Sequence, residues 1–167
     1  MNLKQKIAAA VLSATPVVAY FEGRNLFAYL DPIGKPTICE GWTYGVQLGD
    51  TATPEQCDAY TQQALEEAAR IFNRWVPASV IERMPTTSVA AFLSLIYNTG
   101  PGMPGVKDGF VWLKNGQHST MLRHLQAGRF ADACAELPGW ANAGGRRLRG
   151  LEIRRAAERE LCEAGLQ

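Results

Sequence analysis

The sequence has few histidines, few cysteines and no excess of charge of either sign. Its two histidines are His118 and His124, and no pair of cysteines or histidines has the short spacing of a zinc-binding motif. Seventeen Lys and Arg residues oppose 16 Asp and Glu residues, which leaves a net charge of +1. So even a balance argues against a protein that works by neutralising nucleic-acid phosphates. We therefore expect neither a metal site of that type nor a nucleic-acid partner.

Long apolar runs are also missing. The most apolar stretch covers residues 7–20 and follows Lys4 and Lys6, an order of charged and apolar residues that resembles a secretion signal. Pro16 interrupts this stretch, which falls short of the ~20 apolar residues that a membrane-spanning helix needs. We therefore expect no permanent transmembrane anchor. Residues 1–20 are interpreted as an N-terminal helix that packs on the domain, with a weak export segment or a releasable membrane segment as the alternative.

The chain is long enough for one globular domain. It has 167 residues, 47% of them hydrophobic, and residues 23–50 carry many Gly and Pro residues between short apolar pieces. This punctuation predicts a small antiparallel sheet lobe. Thr53, followed by Pro-Glu-Gln, predicts a capped helix that runs to about Trp75. Further helices are predicted in the rest of a helical lobe of residues 53–167, over about 86–98, 119–128, 130–137 and 151–164. The predicted fold class is α+β, mainly helical, in a single domain.

Three polar residues stand out where the first helix meets the first predicted hairpin. Eight residues separate Glu22 from Asp31, and five separate Asp31 from Thr37. This spacing resembles the catalytic triad of the phage-type lysozymes, glycoside hydrolase family 24. Each residue alone is common in a helix end, a turn or a strand, so the joint spacing carries the resemblance.

Further segments carry the same resemblance and extend it from about Glu22 to Leu166. Thr37-Ile38-Cys39-Glu40-Gly41-Trp42-Thr43 resembles the Thr-Ile-x-x-Gly-His-Thr strand of the family. Residues 91–100 resemble its central helix with an aromatic-Asn-x-Gly end, and residues 119–125 and 143–159 are similar to later segments of the prophage endolysins. The resemblance implies a lysozyme-like fold with a glycan cleft between a sheet lobe and a helical lobe.

The chemistry of the three residues suits glycosidic bond cleavage. This reaction needs one carboxylic acid to protonate the leaving oxygen and a second carboxylate on the other face of the sugar. Glu22 follows Phe21 at the end of an apolar helix, so we expect it to be desolvated and to be the general acid. Asp31 is expected to be solvated and ionised, and Thr37 to orient a water through its hydroxyl. The resemblance implies inversion at the anomeric carbon through that water.

The resemblance also implies a function and a location. The chain would be an endolysin that hydrolyses the β-1,4 bond between N-acetylmuramic acid and N-acetylglucosamine in bacterial peptidoglycan and so lyses the host. We expect a monomer without a cofactor, acting in the host periplasm after export or after release through a holin. A transient membrane contact through the N-terminus stays open. Two rival functions remain: a peptidoglycan-binding module without turnover, and a lytic transglycosylase, which needs only the acid.

Substrate-binding residues are expected at Trp42, Thr43, Tyr97 and Asn98. Trp42 departs from the family pattern, because it replaces the usual His, and it either stacks on a sugar or packs against the first helix. Tyr97 and Asn98 face the cleft by resemblance; alternatively, Tyr97 belongs to the core and Asn98 caps a helix. The loop of residues 101–117 either widens the groove with its aromatic residues or covers the lower edge of the helical lobe, which we prefer.

The four cysteines allow three disulfide connectivities or four free thiols. Proximity in sequence and the resemblance to prophage endolysins favour Cys39–Cys57 and Cys134–Cys162. Such bonds persist in the periplasm and not in a reducing cytosol. Because Cys39 lies close to Thr37, a different pairing that gates activity also stays open.

The six arginines of residues 146–159 are expected to lie on a solvated helix face that also helps docking to the anionic wall.

Overall fold

The computed structural model describes residues 1–166, and Gln167, the last residue of the predicted domain, lies outside them. The predicted α+β class is confirmed. The helices are α1 (Leu3–Glu22), α2 (Pro54–Trp75), α3 (Ala78–Arg83), α4 (Thr86–Thr99), α5 (Thr120–Gln126), α6 (Phe130–Ala135) and α7 (Arg149–Glu163). The strands are β1 (Asn25–Leu30), β2 (Pro36–Cys39), β3 (Asn142–Ala143) and β4 (Arg146–Arg147), and a 3₁₀ turn covers Leu137–Trp140.

Helix α4 is the centre of the helical lobe. Its residues 88–96 are all buried, and helices α1, α2 and α7 pack around it. Phe92 stacks near Phe72 of α2 at a centroid distance of 6.2 Å, and Phe110 reaches the same cluster from the loop after α4. The apolar faces of the surrounding helices are thus buried against one central helix, which ends at the site described below.

Helix α1 packs on this core along one face. Asn2 and Gln5 form a reciprocal cap at its N-terminus, and Ala10, Ala14 and Val18 are fully buried. The interpretation of residues 1–20 as a helix that packs on the domain is confirmed, and Pro16 lies inside this helix. It leaves the carbonyl of Leu12 without a helical donor, and Leu12 lies on the exposed side of the helix. None of the helices within residues 1–166 is both long enough and apolar enough to cross a bilayer.

Lys6 ties α1 to the end of α3. Its side chain is buried, and its ammonium donates to the carbonyl oxygens of Glu82 and Met84, the latter at 2.7 Å. Free carbonyls at a helix C-terminus carry a partial negative charge and lack helical donors. One of the two lysines that give the N-terminus its signal-like pattern therefore has a structural partner in the folded domain.

Two elements were missed in the sequence. Helix α3 has only six residues between Pro77 and Pro85, which is too short to show a helical period. Strands β3 and β4 have two residues each and are joined by Gly144 and Gly145, both with positive φ, as a tight hairpin requires. The predicted helix over 130–137 ends earlier, at Ala135, and the chain continues as the 3₁₀ turn.

The aromatic residues of the 101–117 loop cover the lower edge of the helical lobe, as preferred above. Phe110 is fully buried. Trp112 packs edge-on against Trp75 of α2 at 5.6 Å and lies 4.1 Å from His118. Gly102 and Gly109 touch backbone to backbone in this loop, so a side chain at either position would clash.

Both favoured disulfides are present. Cys39 is bonded to Cys57 with a Cα separation of 5.2 Å, and Cys134 to Cys162 at 5.8 Å. The first bond joins β2 to α2 and the second joins α6 to α7. Four free thiols are therefore excluded for this structure.

Removal of the second disulfide should lower stability without touching the site. The variant Cys134→Ala/Cys162→Ala should lose about 3 kcal/mol of unfolding free energy, because the unfolded chain regains the entropy of an open loop. Denaturant unfolding of both proteins under oxidising conditions measures the difference. Equal midpoints and slopes would show that this bond contributes nothing.

Candidate active site

A cavity of about 630 Å³ lies between the sheet lobe and helices α2 and α4. This volume lies in the usual range of ligand sites. The described residues that line it include Glu22 and all four predicted substrate-binding residues, Trp42, Thr43, Tyr97 and Asn98. Asp31 and Thr37 are not among its lining residues and lie on the β1–β2 hairpin.

Glu22 is the last residue of α1. Gly23 follows it with a φ of 72° and turns the chain away from the helix axis. The Glu22 side chain is 26% exposed, and its carboxylate forms an ion pair with Arg154 of α7, which is almost fully buried. The expected desolvation of Glu22 is thus only partial. The Arg154 guanidinium, which sequence reasoning missed, holds the Glu22 carboxylate at the cavity.

Arg154 belongs to a buried ionic cluster on α7. Glu158 has no exposed side-chain surface and accepts hydrogen bonds from Arg154 Nε at 3.1 Å, from Arg155 and from Ser94 Oγ at 2.7 Å. Arg155 also donates to the carbonyl oxygen of Trp140 at 3.0 Å. Burial lowers the pKa of Arg155, and the charge of Glu158 opposes that shift. Charges this deep in a protein are tolerated only when paired in this way.

The predicted solvated basic face is therefore wrong for two of its six arginines. Arg154 and Arg155 are buried and neutralised inside the domain. Arg147 and Arg159 form exposed ion pairs with Glu152 and Glu163. Two arginines of this segment thus pair inside the helical lobe, and two others pair at its surface.

Asn98 stands one turn of α4 after Ser94. It does not cap the helix, because α4 ends at Thr99 and Gly100 is its C-terminal cap, so that alternative is wrong. Its side-chain oxygen accepts a hydrogen bond from Arg155, and the residue itself is exposed and lines the cavity. The buried cluster thus contacts two cavity-lining residues, Glu22 through Arg154 and Asn98 through Arg155.

Tyr97 links the central helix to the sheet lobe. Its hydroxyl donates to the carbonyl oxygen of Glu40 at 2.9 Å. Burial, together with the carboxylates of Glu22 and Glu40, raises the pKa of Tyr97 to about 12. The hydroxyl therefore stays protonated and keeps donating throughout the neutral range. The ring also lines the cavity, so Tyr97 is both a packing residue and a wall residue.

The side chain of Glu40 is a second buried carboxylate, which sequence reasoning also missed. It accepts hydrogen bonds from Arg24 Nε at 2.5 Å and from Thr61 Oγ1 at 3.0 Å. Arg24 also contacts Asp58 at 2.6 Å. Although burial works against the charge of Arg24, its hydrogen bonds to Asp58 and Glu40 raise its pKa. This cluster fastens the start of β1 and the end of β2 to α2.

Trp42 packs on α2 rather than on the first helix. Its indole stacks on Tyr60 with a centroid distance of 4.8 Å and an interplanar angle of 6°. Its Nε1 donates to the carbonyl oxygen of Tyr44 at 3.1 Å, and the Tyr44 ring meets it edge-on. With one face on Tyr60, Trp42 forms an aromatic wall of the cavity beside Thr43.

Asp31 and Thr37 both form hydrogen bonds with the backbone of Lys35 in the hairpin. Asp31 Oδ1 accepts from the backbone N–H groups of Ile33 at 2.9 Å and Lys35 at 2.8 Å. Thr37 is buried in β2 and donates its hydroxyl proton to the carbonyl oxygen of Lys35 at 2.9 Å. Among residues 1–166, no donor contacts Asp31 Oδ2, so this oxygen is available to an outside partner.

The phage lysozyme family model matches residues 19–158. The SAR-endolysin of Enterobacteria phage P21 is 32% identical over 178 aligned residues, which cover 99% of this chain and 98% of that protein. The matched range contains Glu22, Asp31, Thr37 and most of helix α7.

Two crystal structures of one phage protein match this fold to different extents. The active form of the P1 phage endolysin Lyz superposes with a TM-score of 0.76 and 26% identity, covering 100% of this chain and 96% of that one. Its secreted inactive form gives a TM-score of 0.52 and 28% identity, covering 74% and 77%. The present structure is thus more similar to the active form of that protein.

Proposed function

This chain belongs to the phage lysozyme family, and we propose that it cleaves the β-1,4 bond between N-acetylmuramic acid and N-acetylglucosamine by inverting hydrolysis. It is an endolysin with peptidoglycan-lytic function and a lysozyme-type glycoside hydrolase. The single observation that supports the proposal most is the position of Glu22, a carboxyl group at the wall of the interlobe cavity. A glycan strand in this cavity would meet that group.

Glu22 is the general acid in this proposal. The leaving oxygen of a glycosidic bond needs a proton as the bond to the anomeric carbon breaks. Arg154 fixes the orientation of the carboxyl group, and Arg154 is itself fixed by Glu158. When a sugar enters, it displaces water from the partly exposed carboxyl group.

Asp31 and Thr37 hold the attacking water. Because the Thr37 hydroxyl donates to Lys35, its oxygen has only acceptor capacity left for a water. Asp31 Oδ2 is a second acceptor, since Oδ1 is occupied by backbone donors. A water that donates one proton to each of these oxygens keeps a lone pair for the anomeric carbon, and Asp31 takes the proton that leaves.

The substrate contacts and the place of action follow from the same features. Trp42, Thr43, Tyr97 and Asn98 line the path of the glycan, with the indole and phenol rings as stacking surfaces for sugar faces. The two disulfides support action in an oxidising compartment, which for this substrate is the host periplasm. We propose that a monomer acts there.

Digestion of purified peptidoglycan in water enriched in heavy oxygen tests this reaction. We expect fragments with reducing N-acetylmuramic acid ends that carry one heavy oxygen, initially in the inverted anomeric form. Fragments with anhydro ends and no heavy oxygen would show that the protein is a lytic transglycosylase and not a hydrolase. If the protein binds peptidoglycan but produces no new chain ends, it is a wall-binding module without turnover.

Asp31 should be needed for hydrolysis but not for folding. The variant Asp31→Asn should reduce the rate of reducing-end release by roughly 10²- to 10⁴-fold, because an amide cannot take the proton of the water. Asp50→Asn is the matched control, since Asp50 also accepts a backbone N–H in an exposed turn, from Gln47 at 2.8 Å. A rate for Asp31→Asn equal to that of the control would remove Asp31 from the mechanism.

A further inference from the structure

A short turn connects the strand that carries Thr37 to the wall of the cavity. Ile38 and Trp42 form an antiparallel bridge, with backbone hydrogen bonds of 2.9 Å in both directions. Residues 39–41 close the turn between them. Residues 40–43 all line the cavity. The conformation of this turn therefore determines where the cavity wall lies relative to β2.

Cys39 has an unusual backbone conformation at the start of the turn. Its φ is 57°, and among residues 1–166 it is the only residue other than Gly with a positive φ. This left-handed region is unfavourable for a residue with a Cβ, because the Cβ comes too close to the following carbonyl oxygen. Gly41 at the end of the turn has a φ of 99° without this cost. A conformation such as that of Cys39 persists only where its surroundings enforce it.

The contacts of Cys39 and of the next residue enforce this conformation. Cys39 is buried and bonded to Cys57 of α2, with a Cα separation of 5.2 Å. The carboxylate of Glu40 accepts hydrogen bonds from Arg24 and Thr61. The disulfide acts on the strained residue itself, so it is the contact that offsets the cost of the positive φ.

We propose that Cys39 is a positioning residue: the disulfide holds its backbone in the left-handed region, and this conformation places the cavity wall of residues 40–43 relative to Thr37. The proposal rests on the proposed function, because it assigns a positioning role beside the same cleft. A glycan that binds to this wall then lies in register with Asp31 and Thr37, which hold the attacking water. If the turn relaxes to a negative φ, the wall moves relative to β2, and the glycan binds more weakly.

Two variants distinguish this role from that of a simple crosslink. Both remove the bond through Cys57→Ala, and they carry Cys39→Ala or Cys39→Gly. A crosslink acts on the unfolded chain, in which Gly adds conformational entropy, so the Gly protein would perform no better than the Ala protein. A positive φ is free of cost for Gly and unfavourable for Ala. The positioning role therefore predicts that the Gly protein performs better.

The test measures the affinity of soluble peptidoglycan fragments for Glu22→Gln proteins with and without these substitutions. The Ala protein should bind about 5- to 30-fold more weakly than its parent, because the left-handed conformation becomes a minor state and the affinity falls with its population. The Gly protein should bind within about threefold of the parent. With Glu22 intact, kcat/KM for peptidoglycan should follow the same order.

The second disulfide supplies the matched control. Cys134 and Cys162 lie in helices and have no positive φ. Their replacement by Ala removes one bond as well, but it should leave the affinity within about twofold of the parent, since the turn keeps its conformation. Equal affinities for the Ala and Gly proteins at position 39, or the same weakening in this control, would overturn the proposal.

The binding measurement separates this proposal from the proposed function. If the wild type cleaves no peptidoglycan, the proposed function fails, and the order of affinities still decides the role of Cys39. Absence of binding by the Glu22→Gln parent would contradict both. Thermal unfolding shows which proteins are folded.

A further variant covers the case in which the Ala protein does not fold. Cys39→Asn with Cys57→Ala then replaces it, because Asn tolerates the left-handed region better than Ala but less well than Gly. Its affinity should be lower than that of the Gly protein. Equal affinities of the Asn and Gly proteins would then overturn the proposal.

Discussion

Glu22→Gln should abolish lysis of cell walls. We expect the rate of peptidoglycan hydrolysis to fall by at least about 10³-fold, because the amide has no proton to give to the leaving oxygen. The amide oxygen still accepts from Arg154, so the variant keeps the buried cluster and the end of α1 in place. Clearing of a peptidoglycan suspension, followed by its turbidity, measures the effect.

The control for this variant is Glu67→Gln. Glu67 lines the same cavity from α2, but it is exposed, and within residues 1–166 its one ion pair is with Arg70 on the neighbouring turn. Its replacement should leave clearing close to the wild-type rate, since exposed pairs contribute little. If Glu22→Gln clears the suspension as fast as Glu67→Gln, the assignment of the general acid is wrong.

The largest stability loss is expected from Glu158→Gln. Glu158 is the only carboxylate that Arg155 contacts among residues 1–166, and it also holds the buried Arg154. Removal of its charge leaves a buried guanidinium without a counter-charge, which costs about 3–5 kcal/mol in comparable cases. Denaturant unfolding should show a correspondingly lower midpoint at an unchanged slope.

Glu163→Gln provides the comparison on the same helix. Glu163 pairs with Arg159 four residues earlier, and both side chains are more than 40% exposed. Its loss should cost less than about 1 kcal/mol. Equal losses for Glu158→Gln and Glu163→Gln would mean that the buried cluster does not stabilise the fold.

The local signals of the sequence were enough for much of the fold. Thr53 and Gln56 predict the start of α2 because a reciprocal cap depends only on neighbouring residues. The Gly-rich texture predicts the hairpin that carries Asp31 and Thr37. By contrast, α3 and the β3–β4 hairpin are too short for any period to show.

The sequence likewise predicted some residues of the candidate site and missed others. Spacing and resemblance predicted Glu22 and the substrate-binding candidates, all of which line the cavity, because these residues lie on contiguous motifs. The partners Arg154, Glu158 and Glu40 were missed, since each is polar in sequence and becomes buried only through a contact more than 15 residues away. The spacing Arg-x-x-x-Glu from Arg154 to Glu158 is a signal of helical pairing, but it does not reveal that the pair faces inward.

The hairpin that carries Asp31 and Thr37 is too small to persist by itself, since isolated two-stranded sheets are marginal in water. It is fastened to α2 by the Cys39–Cys57 bond, by the stack of Trp42 on Tyr60 and by the cluster around Glu40. The hairpin therefore stays folded because of its contacts with the helical lobe. The hairpin and the helical lobe, which carry the proposed catalytic residues, consequently form one cooperative unit, and heat should melt the hairpin together with the helical lobe rather than before it.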